Sequence, residues 1–292
     1  MSRRAMMFIL AVVLLAASGF VPERIRECRE RHGLPSGLPF EELGPGEFAG
    51  TVLLGGARGV VVDILWMWAS TLQQQGRFYE LLDLNDWIAK LQPYFEDVWI
   101  YNGWNMAYNI SHEAETLQDR WAWVRKGILY VEKGLRQNPR SYKLCEKLGQ
   151  FHYYKFDPRY FPNEWRHYRK WYREERRIEP LHQAIAYYRQ MNALVPPGLP
   201  TRMTKRHAVA HCYYRLALQA EEDAGEEGLS PVEKGRRMDL AGNYRRQCLA
   251  EWNQILREFP NDLIAISDWM PRLRRELGLD PAREEGGGTK HE

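Results

Sequence analysis

The residues best spaced for chemistry in this 292-residue chain are His207 and His211, in "RHAVAHC", with Cys212 beside them. Four residues apart on a helix, two imidazoles share one face and can meet one metal ion. A zinc hydrolase of the H-E-x-x-H type needs a glutamate directly after the first histidine as its general base, and Ala208 stands there instead. The reading preferred here is therefore two surface or core histidines, with no metal and no cofactor expected. Metal or haem ligation by His207 and His211 on a helical scaffold is kept as the enzyme-class alternative.

Other motifs supply less. Gly55-Gly56 and Gly59 in "LLGGARGVVVDILW" resemble a phosphate loop only in glycine content, because no Lys-Ser/Thr pair follows. A turn and a close helix contact are the expected uses of these glycines. "NIS" at Asn109–Ser111 fits a glycosylation acceptor but falls in a stretch that reads as a buried helix. There is no G-x-S-x-G and no Walker sequence. The four cysteines, Cys28, Cys145, Cys212 and Cys248, form no C-x-x-C pair, so neither a zinc site nor a disulfide framework is indicated. No catalytic residue is assigned.

Charge excludes another class. A formal net charge of +3, from 41 basic and 38 acidic residues, is too balanced for a nucleic-acid partner. The unusual figure is aromatic, with 11 Trp and 16 Tyr against 10 Phe. Trp and Tyr join an apolar body to a polar handle and favour interfaces between packed units or with partners.

The amino terminus carries an address. "MSRR" precedes an uncharged run from Ala5 to Val21, the pattern of a secretory signal or an uncleaved membrane anchor. The anchor is preferred, with the body outside the cytoplasm, periplasmic or otherwise extracytoplasmic. Residues 22–51, charged and then rich in Gly and Pro, read as a linker, and 281–292 as a disordered tail.

From about Val52 onward the apolar residues recur at three and four, as in helices. Prolines punctuate the pattern: Pro93, Pro139, Pro196 and Pro260 each follow a helix-like stretch. Twelve, eight and five residues before Pro139 stand Gly127, Val131 and Gly134. The same offsets give Ala184, Tyr188 and Met191 before Pro196, and Cys248, Trp252 and Ile255 before Pro260. Small, large, then small or apolar lets one helix nest against its neighbour. Downstream of Pro139 come Cys145, Leu148 and Gly149; downstream of Pro93, Trp99, Asn102 and Gly103.

This phasing resembles the tetratricopeptide repeat, a helix–turn–helix unit of about 34 residues. One unit fits without a gap, from Val62 to Phe95, with Leu65, Trp68-Ala69 and Leu72 as its first-helix packing positions. Its second helix departs from the pattern, with Leu81 and Ile88 where small residues are expected and Asn85 in place of an aromatic. Later units are longer, with insertions expected chiefly at Tyr154–Ile178 and Glu221–Val232.

The resemblance implies a concave groove lined by the first helix of each unit. Carried over, its positions are Trp66, Ser70, Gln73 and Gln74 (with Asp63) in the first unit. In the second they are Ile100, Trp104 and Tyr108 (with Asp97 and Ala107), and in the third Lys143, Glu146, Gln150, Tyr153 and Tyr154. Trp66 and Ser70 replace the Lys and Asn with which some members clamp a peptide carboxylate, so an apolar helix or extended segment suits this groove better. Trp99 is expected to be core, because aromatic stripes at helical spacing usually are.

The expectation is an all-α, tetratricopeptide-like helical-hairpin repeat, an α-solenoid over residues 52–280, after an N-terminal apolar helix at 1–21. Its expected role is an adaptor, membrane-tethered or exported, that binds another membrane or envelope protein through the aromatic groove. A third reading places residues 154–178, with Arg, Trp and Tyr interleaved, against anionic lipid headgroups.

Overall fold

The computed structural model describes residues 58–199 and 202–279. The calls on the anchor, the linker, the tail and Gly55-Gly56 lie outside these residues. The described chain is all-α, with no strand. None of its helices is long and apolar enough to cross a membrane.

The chain divides into two compact units, Met1–Glu113 and Ala114–Glu292, a boundary inside the domain expected at 52–280. In the first, α1 (Arg58–Gln74) pairs with α2 (Phe78–Leu91), and α2 with α3 (Glu96–Trp104). A π-helical stretch, Asn105–Ile110, and a last turn, Ser111–Glu113, continue α3. Such short links between α1, α2 and α3 require antiparallel neighbours.

The second unit contains α4 (Leu117–Gln137), α5 (Tyr142–Tyr154), α6 (Trp165–Arg176), α7 (Pro180–Leu194), α8 (Arg202–Ala224) and α9 (Pro231–Glu258). A π-helical stretch, Ala265–Trp269, then leads into α10 (Met270–Glu276). Here Pro271 lacks the N–H that an α-turn requires, and its ring crowds the preceding turn, which the wider π-turn relieves. Helix packs on helix in chain order: α4 on α5, α5 on α7, α7 on α8, α8 on α9 and α9 on α10. Within each unit, helices packed on one another in this way are compatible with a helical repeat.

Local signals set the boundaries. Thr116 caps α4 by accepting from the Asp119 amide, Ser141 caps α5 through Leu144, and Ser230 caps α9 through Glu233. Pro180 and Pro231 begin α7 and α9, where their missing N–H costs nothing. The four phased prolines each fall just beyond a helix end. Arg177 stops α6 in the left-handed conformation, at φ 57°.

The phased positions are core. Val131, Ala184, Cys248 and Trp252 are fully buried, as are Cys145 and Leu148, and Trp99 is 4% exposed with its indole N–H on the Pro93 carbonyl. The irregular second helix of the first unit is also core. Leu81, Asn85 and Ile88 are buried, and Asn85 Nδ2 donates to Asn102 Oδ1 at 2.7 Å, so a polar pair stands where the repeat pattern has a ring.

Two expectations need correction. A Cβ on Gly59 would meet nothing within 4 Å, so no close helix contact explains that glycine. Ala69 and Leu72 are buried as expected, but Trp68 is 56% exposed, because the packed face of α1 is set by Val62, Ala69 and Leu72. The stretch expected as an insertion, Glu221–Val232, holds the end of α8, to Ala224, the start of α9, at Pro231, and the link between them.

Candidate functional site

In the first unit, the expected groove positions of α1 reach the surface. Ser70, Gln73 and Gln74 are exposed, and Trp66 is half-buried with its ring edge-on to Phe95 at 5.8 Å. The Ser70 hydroxyl donates back to the Trp66 carbonyl at 2.9 Å. On α3 and its π-helical extension, Ile100, Trp104 and Tyr108 are half-buried. Trp104 and Tyr108 stack with ring centroids 5.8 Å apart and planes 18° apart, and Tyr101 leans on Trp104 at 6.3 Å. Ala107 is fully buried and lines no open face. Asn109 is half-buried with its amide on Asn105, and Ser111 is buried with its hydroxyl on the Ala107 carbonyl.

Beside these positions α1 shows a face the sequence reading missed. Val60, Ile64, Met67 and Trp68 are 62%, 54%, 68% and 56% exposed, at spacings that put them on one side of the helix. The signal was their period; what it could not reveal was which of two apolar faces would be covered.

In the second unit, the expected positions lie along α5. Lys143 is exposed and Gln150 half-buried. Glu146 pairs with Lys205 of α8 at 2.5 Å. Tyr153 accepts a hydrogen bond from Arg159 at 3.3 Å, while Tyr154 meets Tyr153 at 5.0 Å and Tyr160 at 5.1 Å, both edge-on. Three of the five positions thus serve contacts with α8 and with the insertion.

The two histidines come together, but in different company. His207 Nε2 lies 2.5 Å from Asp262 Oδ2, both buried, and Asp262 Oδ1 accepts from the amides of Ile264 and Ala265. Asp262 therefore caps the helical turn that starts the last segment and ties it to α8. His211 lies between Trp252 at 5.6 Å and Trp269 at 5.1 Å. Burial first, then the neighbours His207 and Arg159, push its pKa down to about 4. Among the described residues no group of three metal-ligating side chains gathers here or elsewhere. His207 lies on the Asp262 cap, and His211 packs between two indoles.

Within the insertion, α6 turns its rings inward. Trp165, Tyr168 and Tyr172 of α6 are buried, and Tyr168, Trp171 and Tyr172 surround Trp121 of α4 at 5.4–6.5 Å. Arg169, at 12% side-chain exposure, binds Glu179 at 2.7 Å and Asp223 through two bonds of 2.8 Å. A cleft of about 670 Å³ opens beside it, lined by α6, Glu179, Asp223 and Arg237 among others. Its walls carry charge of both signs and no hydroxyl, thiol or imidazole nucleophile.

Just before α6, Lys155 and Asp157 are buried. Burial lowers the Lys155 pKa to about 7, and its ammonium lies 4.0 Å from the Phe161 ring centroid. Asp157 binds Arg159, and Arg215 of α8 approaches it at 3.4 Å. Nothing in the sequence pattern signals this cluster, whose members lie 60 residues apart at the extremes, Lys155 and Arg215.

No family model, curated protein or solved structure matches this chain.

Proposed function

We propose that the protein is a helical-repeat adaptor of tetratricopeptide-like, solenoid type, tethered to a membrane or exported through its apolar N-terminus. Its partner would be another membrane or envelope protein, captured outside the cytoplasm through the aromatic face of the first unit. The observation that carries this reading is the exposed apolar side of α1, Val60, Ile64, Met67 and Trp68, on the same helix as Trp66, Ser70, Gln73 and Gln74. Contiguous apolar surface of this kind marks interaction sites in folded proteins. Trp104 and Tyr108, already stacked, supply a rigid ring platform with little ordering entropy left to lose.

An apolar helix or extended segment is the partner chemistry such a surface suits. A tether would raise the local concentration of two proteins on one membrane. The test is crosslinking in cells followed by purification from detergent-solubilised membranes, with the unaltered chain beside Trp104→Ala/Tyr108→Ala and Met67→Glu/Trp68→Glu variants. Near-stoichiometric recovery of one protein, lost in the variants while circular dichroism stays unchanged, supports the adaptor. Equal recovery with all variants overturns the surface assignment.

A further inference from the structure

The cleft beside α6 carries more charge than its own ion pairs neutralise. Six basic and five acidic side chains line its volume of about 670 Å³, a size within the range of small-molecule sites. Arg169 is committed to Glu179 and Asp223. Arg173 stands 3.6 Å from Glu179, and Arg237 pairs with Glu226 at 2.8 Å. Among the described residues, Arg166, Lys170 and Arg177 have no carboxylate partner, and Glu174 and Glu222 have no cationic one.

The unpaired cations share a wall. Arg166, Lys170 and Arg173 follow one another at four and three residues, on the side of α6 away from the buried Trp165, Tyr168 and Tyr172. Arg166 lies over the Trp165 ring at 5.2 Å, and Arg177 stands at the helix end. Glu222 belongs to the last turn of α8, which the two Arg169–Asp223 bonds tie to α6. The cleft therefore has a cationic wall on one helix and a carboxylate on the other.

Arg177 adds an independent observation. It is the one non-glycine with positive φ among the described residues, at 57°. Glycine takes this conformation at a helix end without steric cost, and an L side chain does not. Positive charge for the helix terminus is already supplied by Arg173 and Arg176 in the last turn. No ion pair of the fold offsets the strain at Arg177, and strain kept in this way collects at functional sites.

We propose that this cleft binds a phosphate ester that also carries an ammonium group, of the phosphoethanolamine class, with the phosphate against Arg166, Lys170 and Arg177 and the ammonium toward Glu222. One guanidinium fork fills a carboxylate, whereas a phosphate offers three oxygens and, as a monoester, a charge of about −1.5 to −2 to several cations at once. Three unpaired cations against two unpaired carboxylates favour a ligand with more negative than positive charge. The site lies wholly in the second unit and does not depend on the aromatic face of the first.

The test is isothermal titration calorimetry on the full chain in maltoside micelles. The probes are phosphoethanolamine, glycerophosphoethanolamine, inorganic phosphate, ethanolamine and an Asp-Lys dipeptide. At least one of the two esters should bind tenfold or more tightly than phosphate or ethanolamine. Lys170→Gln/Arg177→Gly should weaken that ester at least tenfold. Arg177→Gly alone should weaken it while raising the Tm, because glycine relieves the left-handed backbone; a purely structural arginine would not separate the two. Glu222→Gln should reduce ester affinity to that of inorganic phosphate and leave inorganic phosphate unchanged. Tighter binding of glycerophosphoethanolamine supports a lipid headgroup as the source, and tighter binding of phosphoethanolamine a free monoester. Neither ester binding, an ester bound no more tightly than inorganic phosphate or the dipeptide, or an affinity that none of these variants changes overturns the proposal.

Discussion

Gly149 of α5 lies directly beneath the ring of Tyr188 on α7: a Cβ built on the glycine would stand 2.5–2.8 Å from three ring carbons. Both residues belong to the phased pattern, ten residues after one proline and eight before the next. The small residue exists to admit the ring, and this contact brings α5 and α7 close enough to share a core with Leu181, Ala184 and Met191.

Gly149→Ala should therefore destabilise the protein although alanine is the better helix former by up to about 1 kcal/mol. Overpacking of this kind costs about 1–3 kcal/mol. Thermal unfolding should show a lower Tm, partly restored by adding Tyr188→Leu. Gly235→Ala in α9, where nothing lies within 4 Å, is the control and should be neutral or stabilising. A stable Gly149→Ala variant with no coupling to Tyr188 would contradict the packing argument.

Arg169 should be the most sensitive charge in the insertion, since it joins α6 to Glu179 and to Asp223 at the end of α8. Removing one partner of a buried network strands the others and costs about 3–5 kcal/mol. Arg169→Met should show that loss in urea unfolding and open Tyr154–Ile178 to limited proteolysis. Arg169→Lys should rescue little, because an ammonium cannot hold two carboxylates in the planar geometry of a guanidinium. Full rescue by lysine would show that charge alone suffices.

Acid should weaken the fold through its buried histidines. His152 is fully buried; it donates from Nδ1 to the Leu148 carbonyl, and burial pushes its pKa down to about 4. With the folded value lowered, the unfolded chain binds more protons between pH 6.5 and 4, so stability is complete above 6.5 and falls as pH drops through that window. One such group accounts for a loss on the order of 3 kcal/mol. His152→Asn, which keeps a donor and removes the titration, should flatten the stability–pH slope over that window in urea unfolding. An unchanged slope would show that His152 is protonated normally in the folded protein.

Much of the fold was legible because helix signals are local. Ser230-Pro231 with Glu233 starts α9, and Pro93, Pro139, Pro196 and Pro260 mark helix ends through backbone chemistry that does not depend on distant residues. The burial of Val131, Ala184, Tyr188 and Trp252 followed from the phase of that punctuation. His207 and His211 show the opposite case. Their spacing was visible, but that His207 meets a carboxylate depended on Asp262, 55 residues beyond it.

The sequence by itself determined an all-α chain with phased helices, small residues where helices nest, and a core rich in rings, since each of these is written within one turn or one repeat. Tertiary structure alone decided that Trp68 faces outward, that Glu146, Tyr153 and Tyr154 are engaged by α8 and the insertion, and that Asp157 stands between Arg159 and Arg215. An apolar or charged side chain is equally at home on a covered face or an open one. Which it occupies is set by the helix that packs against it, and that helix is encoded elsewhere in the chain.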